Sequence, residues 1–196
     1  MSSLWLVSTT SFFNFSFLPK YTIYFAQGIL YTLLLSVVAV ALAGINMVTA
    51  PIIADANEAK TQQAVNEVLP GGGNAIAFTD ESGLISEVYE SETGYAIKVA
   101  PNGFGGAIEM MVGVSKDGNV LGISIIKHAE TPSLGAVAAD KGSNGQNFRD
   151  SFIGLSGEVK VSKEGGEADT ISGATITSKA VANGVNIALN WAANQG

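Results

Sequence analysis

A chain of 196 residues with ten basic and seventeen acidic side chains, a net charge of −7, one histidine and no cysteine excludes a thiolate zinc site, a cysteine-held iron–sulfur cluster, a disulfide framework and a cysteine nucleophile. The acidic balance, with its bases scattered rather than clustered, argues against a nucleic-acid partner, whose phosphates need a basic surface. Charged residues make up only 14% of the chain, well below the roughly one quarter of a soluble domain, so part of it is unusually apolar.

Residues 1–24 form an N-terminal tail, apolar and aromatic but broken by Ser, Thr and Asn. From Met1 to Ile53 the only charged side chain is Lys20, and 34 uncharged residues separate it from Asp55. The densest apolar run, Gly28 to Val48, is about as long as a helix needs to cross a ~30 Å hydrocarbon core, which predicts one transmembrane helix over residues 25–50. A cleaved signal peptide is the competing reading, because Ala41–Gly44 offers small residues; the apolar run, however, continues past them to Ile53. Lys20 precedes the span, whereas Asp55 and Glu58 follow it. The positive-inside rule therefore predicts a single pass of the cell (inner) membrane, with a cytoplasmic N-terminus and the remaining chain on the extracytoplasmic, periplasmic side. Membrane lipid is the first expected partner.

Residues 51–73 read as a connecting helix with Ala64, Val65, Val68 and Leu69 on one side and a stop at Pro70–Gly73. Residues 74–196 then make one domain, with strands predicted over Ile76–Phe78, Ile85–Tyr89, Tyr95–Val99, Ile108–Val114 and Val120–Lys127. Asp117-Gly118 between the last two is a hairpin signal. Residues 146–155 read as a short helix and Val159–Val161 as a strand; in a final helix, Ser178–Asn194, Val181, Val185, Ala188, Leu189 and Ala192 recur at helical spacing. A meander followed by a terminal helix predicts an α+β domain, an antiparallel sheet with helices, behind the single transmembrane helix.

"DTISGATITS", Asp169 to Ser178, places five hydroxyls, one carboxylate and one glycine just before that helix. A helix N-terminus favours an anion such as phosphate, and Gly173 and Ala174 leave room for a cofactor beside Thr175. The plain alternative is that Thr177 or Ser178 caps the helix and the other hydroxyls line a loop. The stretch Asp169-Thr170-Ile171-Ser172-Gly173-Ala174-Thr175 resembles the Asp-x-x-(Ser/Thr)-Gly-Ala-Thr signature of covalent FMN-binding domains. That resemblance implies FMN joined to Thr175 through a phosphoester, installed by a separate flavin transferase from FAD with magnesium. It makes Asp169, Ser172 and Gly173 recognition and geometry residues.

A second segment, "KHAETPSLGA" from Lys127 to Ala136, read alone is a strand end followed by a loop, and one histidine without a companion is a poor metal site. It resembles the His-x-Glu-Thr-Pro-Gly-Leu-Gly segment of the same family, which implies that His128, Glu130, Thr131, Pro132, Leu134 and Gly135 lie near the flavin. Ser133 departs from that pattern: if the position needs a positive φ, serine is strained there. Gly103, Phe104, Gly105 and Gly106 either offer an aromatic edge and open backbone to the isoalloxazine or make a tight turn. The order of one span, one compact domain and a helix after the motif resembles the family of G-type subunits of Rnf electron transport complexes, related to the C-type subunits of Nqr complexes. That implies an electron-relay role between ferredoxin and NAD, coupled to ion movement, with the other membrane and peripheral subunits as partners. A stand-alone membrane-anchored flavin reductase, a C-type subunit of an Nqr-type complex and a non-redox binding module are the competing readings; for the first, His128 with Glu130 is the only compact acid–base candidate, and neither a catalytic nor a metal site is assigned.

Overall fold

The computed structural model describes residues 18–80 and 83–195; the rest of the N-terminal tail lies outside the described residues. The first helix, α1 (Leu18–Val68), runs without a break through Pro51, so no interruption separates the predicted span from the predicted connecting helix. The chain divides into two compact units between Ala54 and Asp55.

In the first unit, the helix is long and apolar enough to cross a membrane. Its large apolar residues are exposed all round, Leu30, Leu34, Val37 and Ile45 among them, as expected of a helix whose solvent is lipid. The hydroxyls of Thr32, Ser36 and Thr49 each donate to the carbonyl four residues earlier, at 2.8 to 3.0 Å. This satisfies polar groups that hydrocarbon cannot.

The second unit is an α+β domain. Its five strands, β1 (Asn74–Ala75), β2 (Ile85–Glu90), β3 (Gly94–Val99), β4 (Glu109–Ser115) and β5 (Val120–Lys127), form an antiparallel meander in sequence order. The β4–β5 hairpin closes on Gly118, whose φ of 78° suits the Asp-Gly signal. Two helices follow, α2 (Ser143–Asp150) and α3 (Thr175–Ala193).

Strand alternation divides the core between the two faces of the sheet. Tyr95, Ile97, Val99, Met110, Val112 and Val114 face Phe148, Phe152, Val181, Val185 and Leu189, whereas Ala96 and Met111 face Ala64, Val65, Val68 and Leu69 at the end of α1. Ile85 and Val88 share the first face although three residues apart, because the register slips between Ile85 and Glu87. On the second face the end of α1 comes down on Gly113 and Gly122, register partners on β4 and β5. A Cβ at Gly113 would lie 2.2 Å from the Val68 carbonyl oxygen.

Polar groups secure the same face. The Ser124 hydroxyl donates to Glu67 at 2.5 Å, and that bond outweighs burial in holding the Glu67 carboxyl below its ordinary range. Burial raises Glu87, but bonds from Lys98 and Tyr89, both at 2.6 Å, more than reverse it. Burial and Glu87 together push the Tyr89 phenol up to about 12. The two carboxylates contribute stability above their ordinary pKa of 4.5 that is lost as pH falls through the lowered folded values; the tyrosine contributes stability below its ordinary 10.0 that is lost as pH rises toward 12. Thermal unfolding of the full chain in detergent should therefore show melting temperatures falling on both sides. Tyr89→Phe should remove part of the alkaline fall, and an unaltered alkaline limb would contradict the assignment.

Two predicted strands are corrected. Ile76–Phe78 is not a strand: after β1 only the Ile76 N–H still bonds the sheet, to the Val88 carbonyl at 3.0 Å. Ile76 and Phe78 instead pack sideways on the core, and the Trp191 indole N–H fixes the Thr79 carbonyl at 3.1 Å. Val159–Val161 is not a strand either, because the Asn186 side-chain amide takes both the N–H and the C=O of Val159, at 2.8 and 2.9 Å. Only a single bridge, Val161 to Ala168, remains.

Candidate functional site

The final helix begins three residues before the predicted Ser178, so Thr175 is its first residue. Ile171–Ala174 closes as a turn, with the Ala174 N–H donating to the Ile171 carbonyl at 3.0 Å. Its third residue, Gly173, has a φ of 78°, which glycine supplies without steric cost. Neither proposed hydroxyl caps the helix: the N-cap is Ala174, which makes no side-chain cap bond. Ser178 instead braces the turn, accepting from the Ile171 N–H and donating to the Ala174 carbonyl, both at 3.0 Å. Thr177 turns away to the Glu130 carboxylate at 2.5 Å.

A cleft of about 360 Å³ opens beside Thr175, lined by Phe104, Glu130, Thr131, Leu134, Gly135 and residues 173–177. Three segments far apart in sequence converge on it. Phe104, Leu134 and Ile176 are 69%, 43% and 55% exposed; with Ile153 they are the exposed large apolar residues of the described part of this domain, and three of those four rim one cleft. Such a cluster marks a binding surface rather than ordinary scatter. Volume and an apolar lining with a few polar groups suit a planar aromatic ligand.

Thr175 is only partly buried, and its hydroxyl oxygen accepts from the Lys163 ammonium at 3.1 Å. Lys163 sits in a 3-10 turn, Ser162–Glu164, whose Glu164 also pairs with Lys179 of α3 at 2.5 Å. Sequence reading missed Lys163, since it lies twelve positions before Thr175. A cation beside the hydroxyl is chemically suited to a phosphate there.

Of the expected site residues, Glu130, Thr131, Leu134, Gly135, Gly173, Ala174 and Thr175 come together in the cleft. Asp169 and Ser172 line a neighbouring hollow with Ser133 and Phe148 instead. His128 lies outside both; its Nδ1 accepts the Glu130 N–H at 3.2 Å, folding the loop on itself. Residues 103–106 form the tight turn, in which Asn102 bridges Ala107 and the Gly103 N–H donates to the Gly106 carbonyl at 2.8 Å, and the same turn presents Phe104 to the cleft.

Ser133 has a φ of 62°, the one positive φ outside glycine among the described residues. A left-handed serine costs about 1 kcal/mol. Ser133→Gly is expected to stabilise the domain by about 0.5–1 kcal/mol, read as a melting temperature raised by about 1–4 °C; a lowered one would show that the serine hydroxyl outweighs the strain.

The FMN-binding domain family matches residues 103–190. The chain is 33% identical over 187 residues to the G-type subunit of the Na(+)-translocating ferredoxin:NAD(+) oxidoreductase complex of Acetobacterium woodii, covering 84% of this chain and 89% of that protein. It is 33% identical over 189 residues to the G-type subunit of the ion-translocating oxidoreductase complex of Stutzerimonas stutzeri, 86% of this chain and 81% of the relative. The G-type subunit of the proton-translocating ferredoxin:NAD(+) oxidoreductase complex of Clostridium ljungdahlii is 42% identical over 95 residues, 48% of this chain and 51% of its own. A crystal structure of the C-type subunit of Na(+)-translocating NADH-quinone reductase from Parabacteroides distasonis is similar at 26% identity and a TM-score of 0.42, over 57% of this chain and 63% of that one, too loose a likeness to bear on the assignment. With one-third identity sustained over more than four-fifths of both partners in two comparisons, the chain belongs to the family of G-type subunits of ion-translocating oxidoreductase complexes.

Proposed function

We propose that this chain is an electron-relay subunit of a membrane-bound, ion-translocating ferredoxin:NAD oxidoreductase complex of the Rnf type, carrying FMN joined by a phosphoester to Thr175. The observation that carries this reading is the placement of Thr175, first residue of α3, at a cleft rimmed by Phe104, Leu134 and Ile176. Its hydroxyl meets an exposed lysine, whereas Thr177 and Ser178 spend theirs inside the fold. The small residues Gly173 and Ala174 keep the approach to Thr175 open, and the apolar rim would hold the ring.

Bound FMN would supply one- and two-electron transfer. The residues of this chain bind and orient. Lys163 would balance the phosphate charge, and the apolar rim, with the loop Thr131–Gly135, would shield the ring from water. Asp169 and Ser172, exposed beside the cleft, are accessible to a flavin transferase and serve as its recognition residues. His128 shapes the loop that carries Glu130. The helix of the first unit anchors the domain in the membrane, with Lys20 at its cytoplasmic end and the FMN domain on the extracytoplasmic side, where a covalent tether keeps the cofactor from diffusing away. Neighbouring subunits of the complex deliver and accept the electrons.

The full chain produced with and without a flavin transferase tests this by intact mass: one FMN is expected per chain with the transferase and none without it. An unmodified chain in both would overturn the reading. Lys163→Ala is expected to slow the attachment by about two- to fivefold, the size of an exposed charge pair; an unchanged rate would remove Lys163 from the site.

A further inference from the structure

Glu130 is a buried carboxylate, 7% exposed, at the meeting point of three segments. One oxygen, Oε1, accepts the Gly105 N–H at 2.9 Å. The other, Oε2, accepts the Thr177 hydroxyl at 2.5 Å. A carboxylate offers only acceptors, so one side chain is divided between a turn 25 residues before it and a helix 47 residues after it.

The glycines around it make the room. A Cβ at Gly103 would lie 2.4 Å from Oε1, one at Gly135 2.4 Å from Oε2 and 2.5 Å from the Thr177 hydroxyl, and one at Gly105 2.0 Å from the Ala129 carbonyl. The closed sides of Gly103 and Gly105 thus face residues 129–130. Phe104, between them, is 69% exposed and lines the cleft with Thr175. Its place is set by the turn, and the turn is held by Glu130.

We propose that Glu130, beyond lining the cleft, is a positioning residue that pins the Gly103–Gly106 turn to the first turn of α3 and thereby fixes Phe104 as the wall against the isoalloxazine of an FMN on Thr175. The inference rests on the reading of Thr175 as the FMN carrier. Aspartate would be one methylene too short to reach both donors. Glutamine can replace the geometry but not the charge: its oxygen keeps Gly105, and its amide donates to the Thr177 oxygen once that hydroxyl rotates.

Two readouts test it. In the unmodified full chain, amide exchange across residues 103–106 should quicken about tenfold or more in Glu130→Ala, stay within about threefold of wild type in Glu130→Gln, and remain unchanged in both at residues 181–192 of α3. In the flavinylated chain, the iodide-quenching constant of the flavin should rise about twofold in Glu130→Ala and in Phe104→Ala, since each uncovers one ring face. The double variant should show no more than Phe104→Ala alone. Unchanged exchange in Glu130→Ala, or additive quenching effects, would overturn the role of Glu130 while leaving the flavin site standing. A wild-type chain without flavin at Thr175 would instead overturn the reading of Thr175 and with it the role of Phe104, and the exchange arm would still decide the pinning of the turn.

Discussion

Thr175→Ala is expected to leave the chain folded and remove covalent flavin entirely: no in-gel fluorescence after denaturation, no added mass. Both halves follow from the geometry. The side chain is only partly buried and its hydroxyl meets the exposed Lys163, so losing it costs no more than about 1 kcal/mol, and alanine suits a first helical turn. The chemistry, in contrast, has no substitute on the first turn of α3. A phosphoester needs an accessible oxygen; Ser178 is committed to Ile171 and Ala174, and Thr177 to Glu130. Fluorescence retained by the alanine variant would show that attachment lies elsewhere, whereas an unfolded variant would show that Thr175 is needed for the fold.

Gly113→Ala should be among the most destabilising small changes in the domain. The added carbon would sit 2.2 Å from the Val68 carbonyl oxygen and 3.0 Å from the Val68 Cβ, and backbone cannot step aside as a long side chain can. Relief requires the end of α1 to lift from the sheet, separating Val65, Val68 and Leu69 from Ala96 and Met111. Overpacking of this kind costs about 1–3 kcal/mol, which in a domain of this size lowers the melting temperature by about 3–10 °C. Gly122→Ala is the internal control. Its nearest neighbour would be the Val68 Cα at 3.5 Å, an ordinary contact, so its effect should be much smaller. Circular dichroism melts of the full chain in detergent distinguish the two, and equal effects would mean that α1 does not dock where described.

Much of this was legible in the chain because it is local or periodic. The apolar stripe of α3 fell where Val181, Val185, Ala188, Leu189 and Ala192 predicted, and the hairpin closed on Asp117-Gly118. Ser133 took the positive φ that its place in the loop suggested. The misses have a common cause in partners remote from the segment being read. Val159 looks like a strand residue, yet a side chain 27 positions later, Asn186, satisfies its backbone. Lys163 reaches Thr175 across a turn. Glu130 stands out in the sequence only through the resemblance of its loop to the family segment, but what it does depends on Gly105 and Thr177, which no spacing rule connects. The glycines at 103 and 105 admit two readings in sequence because what closes them is remote: the Glu130 carboxylate against Gly103 and the Ala129 carbonyl against Gly105.

Peptide mapping of the full chain produced with a flavin transferase tests whether FMN is joined to the Thr175 oxygen. Cleavage after Lys163 and Lys179 releases the segment holding Thr170, Ser172, Thr175, Thr177 and Ser178 together. Fragmentation is expected to place a single FMN on Thr175 and leave the other four hydroxyls bare. A flavin on any of those four, or on another peptide, would contradict attachment at Thr175.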